Sequence, residues 1–213
     1  FIVGAQRSAT TYLYTILNEH PEILMASPVN PEPKYFLNRK PEQVNLAEYF
    51  NLYFKNYQGE KICGEKSTSY CEKSESAELI KQFFPNVKII FMLADPVERA
   101  ISNYCFSVDN GLETRSLEEV FLKQLPSPKL KFKTSVSPFS YLERGIYLNY
   151  LNVYIDLFGE QNVRLLVKEE VVNNECAIKE VYKFLGCKND ILPPSIGKII
   201  NHEKSWVDRN ICK

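Results

Sequence analysis

Apolar positions along this chain switch between two spacings. Short apolar runs bounded by Gly, Pro or polar residues predict buried strands at Phe1–Val3, Val87–Leu93 and Val163–Val167, and short strands at Ile23–Met25 and Lys61–Gly64. Between them, apolar residues recur at helical spacing in Thr10–Asn18, Leu46–Tyr57, Ser76–Phe84, Pro96–Val108, Leu117–Leu125, Tyr147–Phe158 and Glu175–Leu185. The punctuation agrees. Pro21 and Pro85 stop two of these helices, Gly186 closes the last, and Asp95-Pro96 opens one as N-cap and N1. Pro28, Pro31 and Pro33 force an irregular loop, and Pro126 to Phe139, poor in helix signals, predicts a mobile excursion. Strands alternating with helices imply an α/β protein. The expected architecture is a three-layer, P-loop-like fold, with a central, mainly parallel sheet of about five strands flanked by helices. No repeat or linker interrupts it, so residues 1–213 read as a single domain.

Composition removes several classes of function. Lys plus Arg and Asp plus Glu number 26 each, so no net field draws the protein to nucleic acid. No apolar run approaches the roughly 18 residues of a membrane span, so no membrane contact is expected within this segment. Six cysteines without a C-x-x-C pair, and two histidines, give no zinc pattern. Scattered cysteines of this kind suit a reducing compartment, and a cytoplasmic location is expected. The chain opens without Met inside a predicted core strand, which reads as a fragment. An upstream anchor would make the Golgi lumen the alternative.

The first strand runs into Gly4-Ala5-Gln6-Arg7-Ser8-Ala9-Thr10-Thr11 and then into a helix. Such a turn aims free backbone N–H groups and a positive dipole end at one point, which suits a phosphate. It is nearly the G-x-x-x-x-G-K-[ST] phosphate loop, but Ala9 stands at the second Gly and Thr10 at the Lys. The cation comes three places earlier, as Arg7. A loop without that Lys is poorly equipped for triphosphate chemistry, yet it retains the means to hold a 5′-phosphate. A second candidate grip follows the Val87–Leu93 strand, where Arg99 and Ser102 lie i, i+3 on one helix face.

Together these segments resemble the PAPS-dependent sulfotransferase family, in its carbohydrate and bacterial branches. The first is similar to that family's 5′-phosphosulfate loop, with Arg7 where Lys is usual. The second, Ala94-Asp95-Pro96-Val97-Glu98-Arg99-Ala100-Ile101-Ser102, resembles its 3′-phosphate motif R-[DN]-P-x-x-R-A-x-S, with Ala94 for the leading Arg. Glu32-Pro33-Lys34-Tyr35-Phe36 resembles K-E-P-x-x-F, with Pro31 in place of the Lys. Gly64-Glu65-Lys66-Ser67-Thr68-Ser69-Tyr70 resembles G-E-K-[ST]-x-x-Y, and Glu143-Arg144-Gly145 with Tyr147 resembles the family's ERG-Y element. The stretches occur in the family's order along nearly the whole chain.

The resemblance implies PAPS as sulfuryl donor, PAP as product, no metal, and a small-molecule or carbohydrate acceptor. It implies Glu32 as general base, with Arg7 and Lys66 beside the bridging oxygen. Gln6, Arg7, Ser8, Ala9, Thr10 and Thr11 would hold the 5′ end, and Arg99 and Ser102 the 3′-phosphate. Lys204, in a loosely matching tail, would close over the nucleotide. His20, at a helix end before Pro21, reads as a cap rather than a base. The alternating Lys129-Leu130-Lys131-Phe132-Lys133 suits a solvated strand or an anionic sugar. The runner-up reading is a P-loop-derived nucleotide kinase or nucleotide-binding module without sulfuryl transfer. Acceptor identity, O- against N-sulfation and oligomeric state are not legible in the sequence.

Overall fold

The computed structural model describes residues 1–128 and 136–198. Its strands are β1 (Ile2–Gly4), β2 (Ile23–Met25), β3 (Ile62–Gly64), β4 (Ile89–Leu93) and β5 (Val163–Val167). Its helices are α1 (Thr10–Asn18), α2 (Leu46–Tyr53), α3 (Ser74–Phe83), α4 (Pro96–Asp109), α5 (Leu117–Phe121), α6 (Leu148–Phe158), α7 (Lys168–Val171) and α8 (Glu175–Leu185). Every predicted strand and helix occurs. Two helices end early, α2 at Tyr53 rather than Tyr57 and α5 at Phe121 rather than Leu125. β5 is not the buried strand expected: it lies at the edge of the sheet, where Leu166 is buried but Leu165 and Val167 are exposed. The short α7, directly after β5, was not anticipated, because four residues carry no helical period.

The caps follow from side-chain chemistry. Asp95 Oδ1 accepts from the Val97 and Glu98 amides, both at 2.9 Å, and Pro96 occupies N1 of α4 where no amide is needed. Gly186 closes α8 in the left-handed region at φ 75°.

All strand pairs are parallel. β4 lies between β1 and β5, and β2 pairs with β3. The chain beyond β3 then joins the two groups: Ile2 donates to the Glu65 carbonyl at 2.8 Å, and Ser67 donates back to the Ile2 carbonyl at 3.0 Å. The order across the molecule is therefore β2-β3-β1-β4-β5.

Neighbouring residues on a strand point to opposite faces, and each face has its own core. Val3 and Phe91 pack with Phe36, Tyr49, Tyr70 and Tyr154 on one side. Ile2, Ile90 and Met92 pack with Leu13 and Ile16 of α1 and Val181 and Tyr182 of α8 on the other. This is the expected three-layer arrangement. Because β1 is flanked by β3 and β4, the segments after these three strands meet at one edge, at their carboxyl ends, where ligands of open parallel sheets bind.

Candidate donor-binding and catalytic site

The segment after β1 turns sharply. Arg7 (φ 66°) and Ala9 (φ 56°) both occupy the left-handed region, and Ala9 immediately precedes α1. No side chain caps α1 and its first turn holds no acid. Its leading amides therefore remain available to an anion at the positive end of the helix. Ser8 in the same turn is fully buried, and its hydroxyl has no hydrogen-bond partner. A buried hydroxyl left in this state costs about 1–3 kcal/mol, an uncommon expense that a ligand acceptor would remove.

Arg7 reaches towards α4. Its Nε donates to Ser102 Oγ at 3.2 Å, and its guanidinium stands 4.8 Å from the centroid of the Phe106 ring. Gln6 Nε2 lies 3.4 Å from Ser69 Oγ. Thr11, one residue into α1, receives Lys66 Nζ at 3.4 Å.

Lys66 and Glu32 come together from positions 34 residues apart, with Nζ 2.8 Å from Oε1. The Lys66 side chain is 4% exposed and that of Glu32 13%. Thr68 holds the same carboxylate: its amide donates to Oε2 at 3.0 Å and its hydroxyl lies 3.0 Å from Oε1. Glu32, Lys66 and Thr11 thus form a continuous polar line from the Pro-rich loop to the N-terminus of α1. A cavity of about 620 Å³, lined by Glu32, Lys34, Tyr35, Arg39, Gln43 and Tyr53 among others, adjoins this loop.

Arg99 and Ser102 share α4 but not their partners. Ser102 faces Arg7. Arg99 is turned inward and 1% exposed; it donates to the Tyr141 carbonyl and, at 3.4 Å, to Asn103 Oδ1, while its Nε has no partner. Arg144, also fully buried, takes both oxygens of Glu72, at 2.6 and 2.9 Å. Glu72 is thus taken up by Arg144, and among the described residues no carboxylate pairs with Arg99. Burial, reinforced by the neighbouring Arg144, pulls the Arg99 guanidinium below its ordinary value. The region beneath α4 carries surplus positive charge, which a bound anion would offset.

Thr68, Phe106 and Arg144 carry no site assignment in the sequence reading. Thr68 and Arg144 stand inside the Gly64–Tyr70 and Glu143–Tyr147 stretches that carry the family resemblance, which is the signal that points to them. His20 is buried; its Nδ1 accepts from the Glu22 amide at 3.1 Å and its Nε2 lies 2.8 Å from the Lys188 carbonyl. Cys71, Cys105 and Cys187 are buried small side chains. Lys204 and the Lys129–Lys133 stretch lie outside the described residues. No helix among the described residues is long and apolar enough to cross a membrane.

A parallel α/β sheet with an uncapped, anion-ready loop after its central strand defines a protein of the P-loop-like class. The chain belongs to the sulfotransferase family, whose sequence model matches residues 1–129. It is 25% identical over 191 residues to the heparan sulfate glucosamine 3-O-sulfotransferase 3A1 of Mus musculus, covering 89% of this chain and 46% of that protein. It is 30% identical over 134 residues to the membrane-associated sulfotransferase kil1 of Dictyostelium discoideum, covering 62% of this chain and 25% of that one. The crystal structure of a sulfotransferase from Alicyclobacillus acidocaldarius superposes with a TM-score of 0.74 at 25% identity, over 100% of this chain and 88% of the other. The chain spans a quarter to about half the length of these curated relatives.

Proposed function

We propose that this protein transfers a sulfuryl group from PAPS to a hydroxyl or amine of a small-molecule or carbohydrate acceptor. The observation that carries the reading is the line Glu32–Lys66–Thr11, which sets a carboxylate beside a cation at the mouth of the anion-ready loop.

When bound, the donor supplies an activated sulfuryl group at the end of its 5′-phosphosulfate, and it carries a separate 3′-phosphate on the ribose. The residues present fit such a molecule. Gln6 to Thr11 offer backbone amides, the orphaned Ser8 hydroxyl and the Arg7 cation to the 5′ end. Ser102 at the surface of α4, backed by the surplus charge of Arg99, suits the 3′-phosphate. Lys66 is within reach of both the loop and Glu32, so it can neutralise charge on a leaving oxygen while remaining close to the base. Glu32 takes the proton from the acceptor, a role typically worth about 10²–10⁴ in rate. The Glu32–Tyr53 cavity is the place for the acceptor, and the heparan sulfate activity named for the mouse relative makes carbohydrate the first class to screen.

Thermal shift with PAP, set against ATP with Mg²⁺, tests the donor assignment. PAP at 100 times its Kd should stabilise the fold by about 2.7 kcal/mol, while ATP with Mg²⁺ gives little. Stabilisation by ATP with Mg²⁺ and not by PAP would overturn the reading in favour of the nucleotide kinase. The base is tested separately. Glu32→Gln should keep the PAP shift and lose about 10²–10⁴ in transfer rate; near-normal turnover would remove Glu32 from the mechanism.

A further inference from the structure

Glu65, next to Lys66, takes no part in the chemistry proposed above, yet it is among the most completely buried charged residues in the protein, at 1% exposure. A buried carboxylate is costly unless its oxygens are satisfied. Here three hydroxyls satisfy them. Tyr49 donates to Oε2 at 2.6 Å, while Ser67 and Tyr70 donate to Oε1 at 2.6 and 2.7 Å.

The direction of the last two bonds is fixed by what lies beyond them. Ser67 Oγ accepts the Lys34 amide at 2.8 Å, and Tyr70 Oη accepts the Phe36 amide at 3.0 Å. An amide only donates. Each hydroxyl therefore accepts on that side, and its single hydrogen goes to Glu65, whose carboxylate oxygens only accept. The carboxylate thus orients two hydroxyls, and these grip two alternate amides of the segment that begins at Glu32. Thr68, from the same stretch as Ser67, holds the Glu32 side chain itself. The backbone behind the carboxylate and the carboxylate are both tied to residues 65–70.

We infer that Glu65 is a positioning residue: acting through Ser67 and Tyr70, it fixes the Lys34 and Phe36 amides and thereby aims Glu32 at the acceptor. The inference rests on the proposed role of Glu32. Positional errors of about 1 Å at a reacting group cost on the order of 10²-fold in rate.

The test uses Ser67→Ala, Tyr70→Phe and the pair Glu65→Gln and Glu65→Leu in the full chain. Glu65→Gln keeps an acceptor oxygen at the Oε1 position, so it should preserve the relay and rescue what Glu65→Leu loses. The first readout is amide hydrogen exchange at Lys34 and Phe36, which needs no acceptor. Exchange should accelerate at Lys34 in Ser67→Ala, at Phe36 in Tyr70→Phe, and at both in Glu65→Leu, with the PAP-induced thermal shift retained. The second readout is transfer of ³⁵S from labelled PAPS to N-sulfated heparosan. For Ser67→Ala and Tyr70→Phe, kcat should fall about 10- to 100-fold with KM for PAPS within about twofold. Unchanged exchange at both amides overturns the relay. Accelerated exchange with unaltered transfer overturns the positioning role, and so does a loss of kcat matched by loss of PAP binding. Should Glu65→Leu fail to fold, the two hydroxyl variants decide. A wild-type chain that is not stabilised by PAP contradicts the donor reading instead, while the exchange pattern still judges the relay.

Discussion

The pairing of Lys66 with Glu32 makes a quantitative prediction about stability that does not depend on any substrate. Lys66→Met keeps most of the aliphatic stem and removes the ammonium; Glu32→Gln keeps the shape and removes the charge. Breaking a buried ion pair by deleting one partner costs about 3–5 kcal/mol. Two features lower that figure here: the Glu32 side chain is 13% exposed, and Thr68 still holds the carboxylate through its amide and hydroxyl. We therefore expect about 2 kcal/mol for each single variant, a downward adjustment of the buried-pair range. The double variant should cost far less than the sum, with a coupling energy of about 2 kcal/mol, inside the span seen for contacting residues. Urea unfolding followed by fluorescence reads this directly. With a slope near 2.5 kcal/mol/M, each single variant moves the midpoint down by about 0.8 M. The cycle is to be repeated at 0.05 and 1 M NaCl, because a pair this enclosed should be screened much less than a surface pair. Additivity within about 0.5 kcal/mol, or a coupling that vanishes in high salt, would refute the enclosed pair and with it the placement of Glu32 at the loop.

Two further outcomes follow from local geometry. Ala9 sits at φ 56°, where a Cβ costs roughly 1–2 kcal/mol, so Ala9→Gly should stabilise the fold by about 0.5–1 kcal/mol once the greater freedom of unfolded Gly is subtracted; a lower urea midpoint would contradict this. Glu113 is buried; burial alone would raise its carboxyl, but hydrogen bonds from Arg115, with help from Tyr141, outweigh this and hold it below the ordinary range. A depressed carboxyl contributes stability above its unfolded value of about 4.3 and loses that contribution as pH falls through the folded value. Glu113→Gln should thus be less stable than the parent by about 2 kcal/mol at pH 7, and the gap should close as pH falls below about 4; a gap independent of pH would show that the charge is not what Arg115 holds.

Local chemistry made much of the fold legible. β2 and β5 are short apolar runs with clear boundaries, and α4 announces itself by Asp95-Pro96. The join between β3 and β1 was not legible, because it is made by Glu65, Lys66 and Ser67, whose polar side chains conceal a paired backbone. The same limit applies to the site. Residue types and order brought Arg7, Glu32, Lys66, Arg99 and Ser102 into view. Spacing on a helix, however, does not say which way a long side chain turns. Arg99 and Ser102 lie i, i+3, yet one enters the interior and the other meets a loop 95 residues earlier in the chain. Such pairings depend on the packing of whole layers, which a single sequence does not display.

The two departures in the phosphate loop, Arg7 and Ala9, acquire a physical meaning from this packing. A guanidinium at position 7 has a planar face as well as donors. It uses both, laying the face near Phe106 and directing Nε at Ser102. A lysine there has no planar face for the ring and no directed fork for the hydroxyl. Arg7 therefore ties the loop to α4, whereas Lys66 ties the start of α1 to Glu32. The two cations thus tie the loop and the start of α1 to two different parts of the molecule, and the left-handed turn at Ala9 leads directly into α1. On this account, replacing Arg7 by Lys alters the loop's attachment to α4 without altering its charge, while replacing Lys66 removes the ammonium that pairs with Glu32 at 2.8 Å.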